Sequence, residues 1–128
     1  MIAPAVRRFL DQRVDDVEQL EIVLLLQSHG DRSWSAADVA DALRLGTRRV
    51  EQQLEALAGR DLLDVRLGGD VRYRFKPASD ALASTARQLA ECYRDRRLEV
   101  VSFVTTRGLR PVRDFSDAFR LKNRKRDA

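Results

Sequence analysis

The chain has 128 residues, 44% of them hydrophobic and 34% charged, with a formal net charge of +4 at pH 7, which suits one domain with its own core. A single cysteine, Cys92, and a single histidine, His29, exclude a disulfide framework and the usual zinc sites within one chain. The longest apolar run, Ile22 to Leu26, is far short of the roughly 20 residues that a membrane-spanning helix needs, so we expect a cytoplasmic protein without membrane contact.

Two helices are predicted at the start of the chain. Apolar residues recur at helical spacing over residues 4–14, and we assign residues 1–14 to an N-terminal helical arm. The next segment, VEQLEIVLLLQSHG, is apolar nearly all round at its centre, which is typical of a helix buried between other elements. Gly30 is the expected stop of this second helix.

A short helix is predicted after Ser35. This serine is a good N-cap, and Asp38 stands three residues later in the arrangement of a capping box. Val39 and its neighbours supply the buried side of the helix. We expect Gly46 to end it in a tight turn. Trp34, just before the cap, is expected in the core, on a small strand.

The stretch TRRVEQQLEAL predicts the next helix, over about residues 47–58. Val50, Leu54 and Leu57 lie at helical spacing and form a narrow apolar stripe. With this stripe facing the core, the other side exposes four polar side chains. These are Arg48, Arg49, Gln52 and Gln53.

A β-hairpin is predicted over residues 65–75, where the pattern changes from helical to alternating. Apolar residues occupy every second position on both sides of Gly68-Gly69, which is the sequence form of two strands joined by a turn. The other face carries three arginines, and this favours a surface that faces phosphate. They are Arg66, Arg72 and Arg74.

One long helix is predicted over residues 79–106, with Ser79 as its N-cap, within a segment that we bound at 78–107. The charged run Arg94 to Arg97 interrupts its apolar stripe. The β-branched residues 98–106 fit a helix or a strand, and we predict a helix because a lone strand after a closed hairpin has no evident partner.

The basic tail, residues 108–128, holds Phe115 and Phe119 and ends in KNRKR. The two phenylalanines either pack on the long helix or dock a protein partner. Charge is unevenly distributed along the chain: residues 9–43 hold eight acids and two bases, whereas residues 107–128 hold eight bases and three acids. An acidic front and a basic back indicate an oriented electrostatic surface.

The order of three helices and a hairpin, carried by SWSAADVADALRLGTRRVEQQLEALAGRDLLDVRLGGDVRYRF, resembles the bacterial winged helix-turn-helix regulators, with the MarR class as the nearest general comparison. The implied fold is mostly α with a small β-hairpin: a winged helix-turn-helix domain over residues 15–77, plus a long C-terminal helix. The resemblance also implies a homodimer through residues 79–106. The alternative is that this helix folds back on its own domain.

The resemblance implies a DNA-binding transcription regulator, with the 47–58 helix in the major groove and the wing on the backbone or in the minor groove. Arginine can pair with guanine and glutamine with adenine, so Arg48, Arg49, Gln52 and Gln53 are the expected DNA contacts. The two arginines suit phosphate contacts equally well, and no base partner is assigned. Thr47 suits a phosphate contact at the positive end of the helix dipole. Arg66, Arg72 and Arg74 are expected on the DNA backbone.

A rival hypothesis is a winged-helix adaptor that binds another protein without specific DNA binding, through the acidic front or the Phe115/Phe119 tail. Glu51 and Glu55 favour this rival if they face phosphate. We see no nucleophile–base pair and no phosphate-cradling loop, so we expect no enzymatic activity, no metal and no cofactor. Cys92 is interpreted as a small buried hydrophobe, against the alternative of a redox sensor.

Overall fold

The computed structural model describes residues 1–107, which form six α-helices and one two-stranded antiparallel hairpin. The elements, in chain order, are α1 (Pro4–Arg13), α2 (Val17–Ser28), α3 (Ala36–Leu43), α4 (Thr47–Ala58), β1 (Leu63–Gly68), β2 (Asp70–Phe75), α5 (Asp80–Asp95) and α6 (Arg97–Thr106). This mostly helical arrangement with one hairpin is compatible with a winged helix. The basic tail, with Phe115 and Phe119, lies outside the described residues.

The first two helices both belong to the core. Val6, Phe9 and Leu10 of α1 are buried, and α1 packs beside α5, so the segment predicted as an arm is continuous with the rest of the domain. The central helix, α2, contacts α3, α4, β2 and α6. Its fully buried side chains, which include Leu20, Ile22, Val23 and Leu26, lie on about half of its circumference, and Val17, Leu24 and Leu25 on the remainder are partly buried.

The turn between α3 and α4 depends on Arg44 and not on Gly46. The predicted capping box at Ser35 and Asp38 is present and begins α3. Arg44 follows the last residue of α3 with φ 59, in the left-handed region, and its N–H donates to the carbonyl of Ala40. Gly46 has φ −71 and is the N-cap of α4. The prediction that Gly46 ends α3 is wrong, because the exposed Arg44 makes the left-handed turn two residues earlier.

The hairpin is anchored to the helices at its base. Its register pairs Leu63 with Phe75 and Leu67 with Val71, and Gly69 turns the chain with φ +82. The N–H of Trp34 donates to the carbonyl of Tyr73 at 2.7 Å, and the N–H of Tyr73 donates back at 2.8 Å. Trp34 is buried, so its predicted place in the core is confirmed, whereas the predicted small strand is a single bridge to Tyr73.

The predicted long helix is two helices, so that part of the fold prediction is wrong. Residues 98–106 are helical, as predicted, but the chain breaks at Arg96, which has φ −139 and ψ 49. The break redirects α6 so that Val100 and Val104 are buried against the core, where α6 contacts α2 and α5. Burial of these two side chains favours the turn over a straight helix that would carry them away from the domain.

Candidate nucleic-acid interface

Helix α4 divides into a buried and an exposed side, as its periodicity predicts. Val50, Leu54 and Leu57 are fully buried against the core. Arg48 and Gln52 are exposed, and neither side chain has a hydrogen-bond or ion-pair partner among residues 1–107. They are four residues apart, so they lie one above the other on the helix surface.

The first turn of α4 is also open. Gly46 caps it without a side-chain hydrogen bond, and Thr47 is exposed. The backbone N–H groups of a first helical turn have no partner within the helix, and they carry the positive end of its dipole. An exposed helix start without a side-chain cap, beside an arginine, is a suitable place for an anion.

Arg49 and Gln53 are engaged by the start of α2 instead of pointing freely to solvent. Arg49 Nε donates to Glu18 Oε1 at 2.7 Å. Gln53 Nε2 donates to Glu18 Oε1 at 3.2 Å and to Asp16 Oδ2 at 3.4 Å. The prediction that Gln53 is exposed is wrong: it is half-buried, because the acidic N-terminus of α2 lies beside this flank of α4.

Gln19 lies at the centre of this contact, and its role was not predicted from the sequence. Its side chain is only 2% exposed, and it is the one buried polar or charged residue among residues 1–107. Its Nε2 donates to Gln53 Oε1 at 2.7 Å, while its Oε1 accepts from Arg60 Nη1 at 3.1 Å and from the backbone of Asp15 at 2.8 Å. A glutamine three residues after the Asp16 N-cap was the available signal.

Arg60 joins the same network from the turn after α4. Its Nη2 donates to Asp15 Oδ2 at 2.8 Å, and its Nη1 donates to the carbonyl of Arg13 at 2.9 Å. The hydrogen bond from Arg60 is the largest influence on Asp15 and holds the pKa of that carboxyl below its usual value, against the opposing effect of burial. The network therefore fixes α4 relative to α2 at both its middle and its end.

The three wing arginines share one face of the hairpin, as predicted, but they differ in their partners. Arg72 pairs with Asp70 at 3.3 Å and approaches Asp38 at 3.8 Å, and Arg74 pairs with Asp64 at 3.5 Å. Arg66, opposite Arg72 in the register, is exposed without a partner in the described part of the chain. Arg66 is thus the wing arginine that is free to meet a ligand.

Glu51 and Glu55 lie on the flank of α4 that faces the wing. They line a groove with Asp70 of β2 and Tyr73, and Ser35 and Thr47 contribute further to its walls. The surface that carries Arg48 and Gln52 therefore has carboxylates on both flanks: those of α2 on one side and those of the groove on the other.

Cys92 is half-buried on α5, and burial is the main cause that raises the pKa of its thiol. A raised pKa disfavours the reactive thiolate, which supports the interpretation of Cys92 as a packing residue. Within residues 1–107 no cluster of three His, Cys, Asp or Glu side chains is placed to hold a metal ion. No helix in that range has the length and apolar character needed to span a membrane.

Comparison with known proteins adds no relative from which a role could be transferred. No protein-family model, no curated protein and no solved structure matches this chain. The residues and their geometry therefore carry the functional argument.

Proposed function

We propose that this protein is a sequence-specific DNA-binding transcription regulator of the bacterial winged helix-turn-helix type, cytoplasmic and without enzymatic activity. In this fold α4 is the recognition helix, residues 47–58, and the hairpin around residues 65–75 is the wing. The observation that carries the proposal is the exposed pair Arg48 and Gln52 at the open N-terminal end of a helix whose other side is fully buried.

Arg48 and Gln52 are the proposed base readers. Arginine forms two parallel hydrogen bonds with guanine, and glutamine does so with adenine. Their spacing of one helical turn lets both follow one strand edge in the major groove. Thr47 and the free amides of the first turn of α4 bind a phosphate, which positions the helix without reading sequence.

Arg49 and Gln53 then act differently from Arg48 and Gln52. Gln53 orients α4 through its contact with Gln19, since both ends of its amide have protein partners. Arg49 reaches phosphate only after it leaves Glu18. On the wing, Arg66 contacts the DNA backbone, while Arg72 and Arg74 support the hairpin through their carboxylate partners and lie beside the duplex.

A homodimer is the proposed assembly, with its interface within residues 79–106. Leu98, on α6, is 84% exposed although it is a large apolar residue, and it is the main support for pairing in this range. Two copies present two recognition helices to half-sites about one helical turn apart, roughly 34 Å.

The second candidate function is a winged-helix adaptor that binds another protein. The carboxylates of Glu51, Glu55 and Asp70 beside α4 favour this candidate, because they repel phosphate and attract a basic partner. The C-terminal tail is a further protein-binding candidate under either function.

Selection from a library of randomised DNA duplexes tests the regulator proposal. The full chain should enrich a sequence motif, and binding should weaken steeply with salt because phosphate contacts release counterions. Arg48→Ala should weaken binding to the selected duplex by about 5- to 150-fold, the range for one bidentate base contact. Arg8→Ala is the matched control, since Arg8 is an exposed arginine of α1 that has no side-chain partner in residues 1–107 and lies outside the proposed interfaces. Failure to enrich any motif, or equal affinities of the two variants, overturns the proposal.

A further inference from the structure

Helix α6 carries uncharged residues on two sides, but its own domain covers only one of them. Val100 and Val104 are buried against the core. The other side holds a stripe of exposed residues three or four positions apart, Leu98, Ser102 and Thr105, which we call the outer face. A helix that is apolar all round is typically buried between other elements, and α6 approaches that pattern. Within residues 1–107, no element covers the outer face.

The hydroxyl groups near Leu98 add little cost to burial of the outer face. Thr105 Oγ1 donates to the carbonyl of Ser102 at 3.3 Å, and Thr106 Oγ1 donates to the same carbonyl at 2.6 Å. Each threonine hydroxyl therefore keeps a partner when water leaves, so neither donor is left unsatisfied. Leu98 itself is 84% exposed, and covering a leucine side chain is favourable.

A groove between α6 and the start of α1 continues the outer face. Its volume is about 470 Å³, and it is lined by Leu98 and Ser102 of the outer face and by five further residues. Three of these are apolar and two are charged: Met1, Ile2, Phe103, Arg7 and Glu99. Met1 is 88% exposed, so Met1 and Leu98 are the two large exposed apolar residues that residues 1–107 have outside the hairpin. The outer face and the groove thus form one largely apolar surface.

The two walls of the groove run in the same direction. The amino group of Met1 pairs with Glu99 at 3.3 Å near the start of α6, and Asp11 pairs with Arg107 at 3.6 Å just after its end. Arg7 therefore lies beside the second half of α6. Arg7 is exposed and has no ion-pair or hydrogen-bond partner in residues 1–107, so it is an unpaired cation on the α1 wall.

Glu99 is the anion of the groove, beside the first half of α6. It also accepts from Arg96 Nη1 at 3.0 Å, but its side chain is still 47% exposed. A carboxylate has about four acceptor sites, so Glu99 has room for a further cation. The groove therefore carries an unpaired cation and an accessible anion at different levels along α6.

We propose that the outer face and this groove are the contact surface for a second copy of the chain, with the two α6 helices antiparallel and Arg7 of each copy paired with the partner's Glu99. An antiparallel two-fold arrangement sets the first half of one α6 against the second half of the other. The partner's Glu99 thereby comes level with Arg7, and the partner's Thr105 faces Leu98. Ser102, near the centre, lets the helices approach closely, and the opposed helix dipoles favour this direction.

This contact surface rests on the homodimer part of the proposed function, and it does not depend on DNA binding. A ten-residue helix is about 15 Å long, whereas stable interfaces bury roughly 800 Å² on each partner. Helix α6 alone is too short for such a contact, so the α1 wall of the groove is needed to complete it. The paired surface therefore extends beyond residues 79–106 to the start of α1.

The first experiment measures self-association of the full chain by sedimentation velocity, without DNA. Leu98→Asp should raise the dissociation constant of the dimer by about tenfold or more, because it places an unpaired charge in the contact. Leu67→Asp is the matched control, since Leu67 is 81% exposed on the hairpin, and it should leave the dissociation constant unchanged. A wild-type chain that is monomeric at every concentration, or a Leu98→Asp variant that dimerises like the wild type, overturns the proposal.

The second experiment tests the crossed pair between two chains. Arg7→Glu and Glu99→Arg chains should each self-associate weakly, because each homodimer then opposes like charges twice. An equimolar mixture should dimerise more tightly than either chain alone by about tenfold or more, because the mixed dimer restores both pairs. Loss of a contact within one chain is not repaired by mixing. Arg8→Glu, at the exposed neighbour on α1, should self-associate like the wild type.

A mixture that dimerises no more tightly than the separate variants overturns the crossed pair. All the substituted positions are exposed, so each variant should keep its fold, which circular dichroism checks. Selection of a DNA motif is a separate readout. A dimeric chain that enriches no motif contradicts the regulator proposal alone, whereas a monomeric chain that enriches one contradicts the dimer alone.

Discussion

Gln19 donates a hydrogen bond to Gln53 at 2.7 Å across 34 positions of the sequence, and this bond joins the central helix to α4. It determines which face of α4 is available to a ligand. With Gln53 and Arg49 engaged by α2, the exposed side chains of the helix that have no partner in residues 1–107 include Arg48, Gln52 and the two glutamates beside the wing, while Arg49 is exposed but paired.

Gln19→Leu should destabilise the fold. The substitution leaves Arg60 and Gln53 without their buried partner, and an unsatisfied polar group costs about 1–3 kcal/mol. Urea denaturation should show this loss in the free energy of unfolding. Gln52→Ala provides the comparison: an exposed residue without partners should change stability by no more than about 0.5 kcal/mol. Equal stability of the two variants would contradict the role of Gln19.

Glu18→Gln should increase affinity for DNA under the proposed function. The change removes the charge that holds Arg49 at 2.7 Å, which frees the guanidinium to reach phosphate. Fluorescence anisotropy with the selected duplex should show tighter binding and a steeper dependence on salt, by about one additional phosphate contact. Glu21→Gln removes the same charge from α2 at a glutamate that has no side-chain partner in residues 1–107, and it should have a much smaller effect. A weaker complex with Glu18→Gln would show that Arg49 does not act on DNA.

Asp15→Asn should reduce the loss of stability in acid. The folded pKa of Asp15 is lowered, chiefly by the hydrogen bond from Arg60, relative to an unfolded value near 3.9. Its contribution is therefore complete above the unfolded pKa and disappears as the pH falls through the folded one. Stability measured between about pH 6 and pH 2.5 should fall less steeply in the variant. Asp31→Asn, at an exposed aspartate without an ion pair in residues 1–107, should retain the wild-type slope.

Arg44→Gly should stabilise the protein. The left-handed conformation of Arg44 costs an L residue roughly 1–2 kcal/mol, whereas glycine adopts it freely. Glycine loses about 0.5–1 kcal/mol of this advantage through its larger entropy in the unfolded chain. A net gain of about 0.5–1 kcal/mol should appear in urea denaturation. Arg44→Ala keeps the Cβ atom and should show no gain, so similar gains in both variants would locate the effect elsewhere.

Local patterns in the sequence were sufficient for most of the elements. The spacing of Val50, Leu54 and Leu57 predicts both the limits and the buried side of α4, because a helix must bury its apolar stripe. Ser35 and Asp38 similarly identify the start of α3, and alternation identifies the hairpin. The conformation of Arg44 had no comparable signal, since arginine rarely occupies the left-handed region.

The functional surface was predicted less completely, for a physical reason. Whether Gln53 is free depends on Gln19, Glu18 and Asp16, and sequence spacing does not show which helix lies beside α4. The break at Arg96 likewise contains neither glycine nor proline and follows from the burial of Val100 and Val104 elsewhere. Both features arise from contacts between segments that are distant in the sequence. The periodicity within one helix carries no information about such contacts.

The bridge between Trp34 and Tyr73 has a consequence for how the hairpin opens. Below this bridge each strand is held by the core. Beyond it Leu67 and Val71 are exposed, and the strands are tied to the helices by the exposed contacts of Arg72 with Asp38 and with the carbonyl of Ser33. The outer half of the wing should therefore open by local fluctuations, so its amides exchange with deuterium much sooner than those of Tyr73 and Trp34. The outer half of the hairpin can therefore adjust to a bound surface, while its base stays fixed to the core.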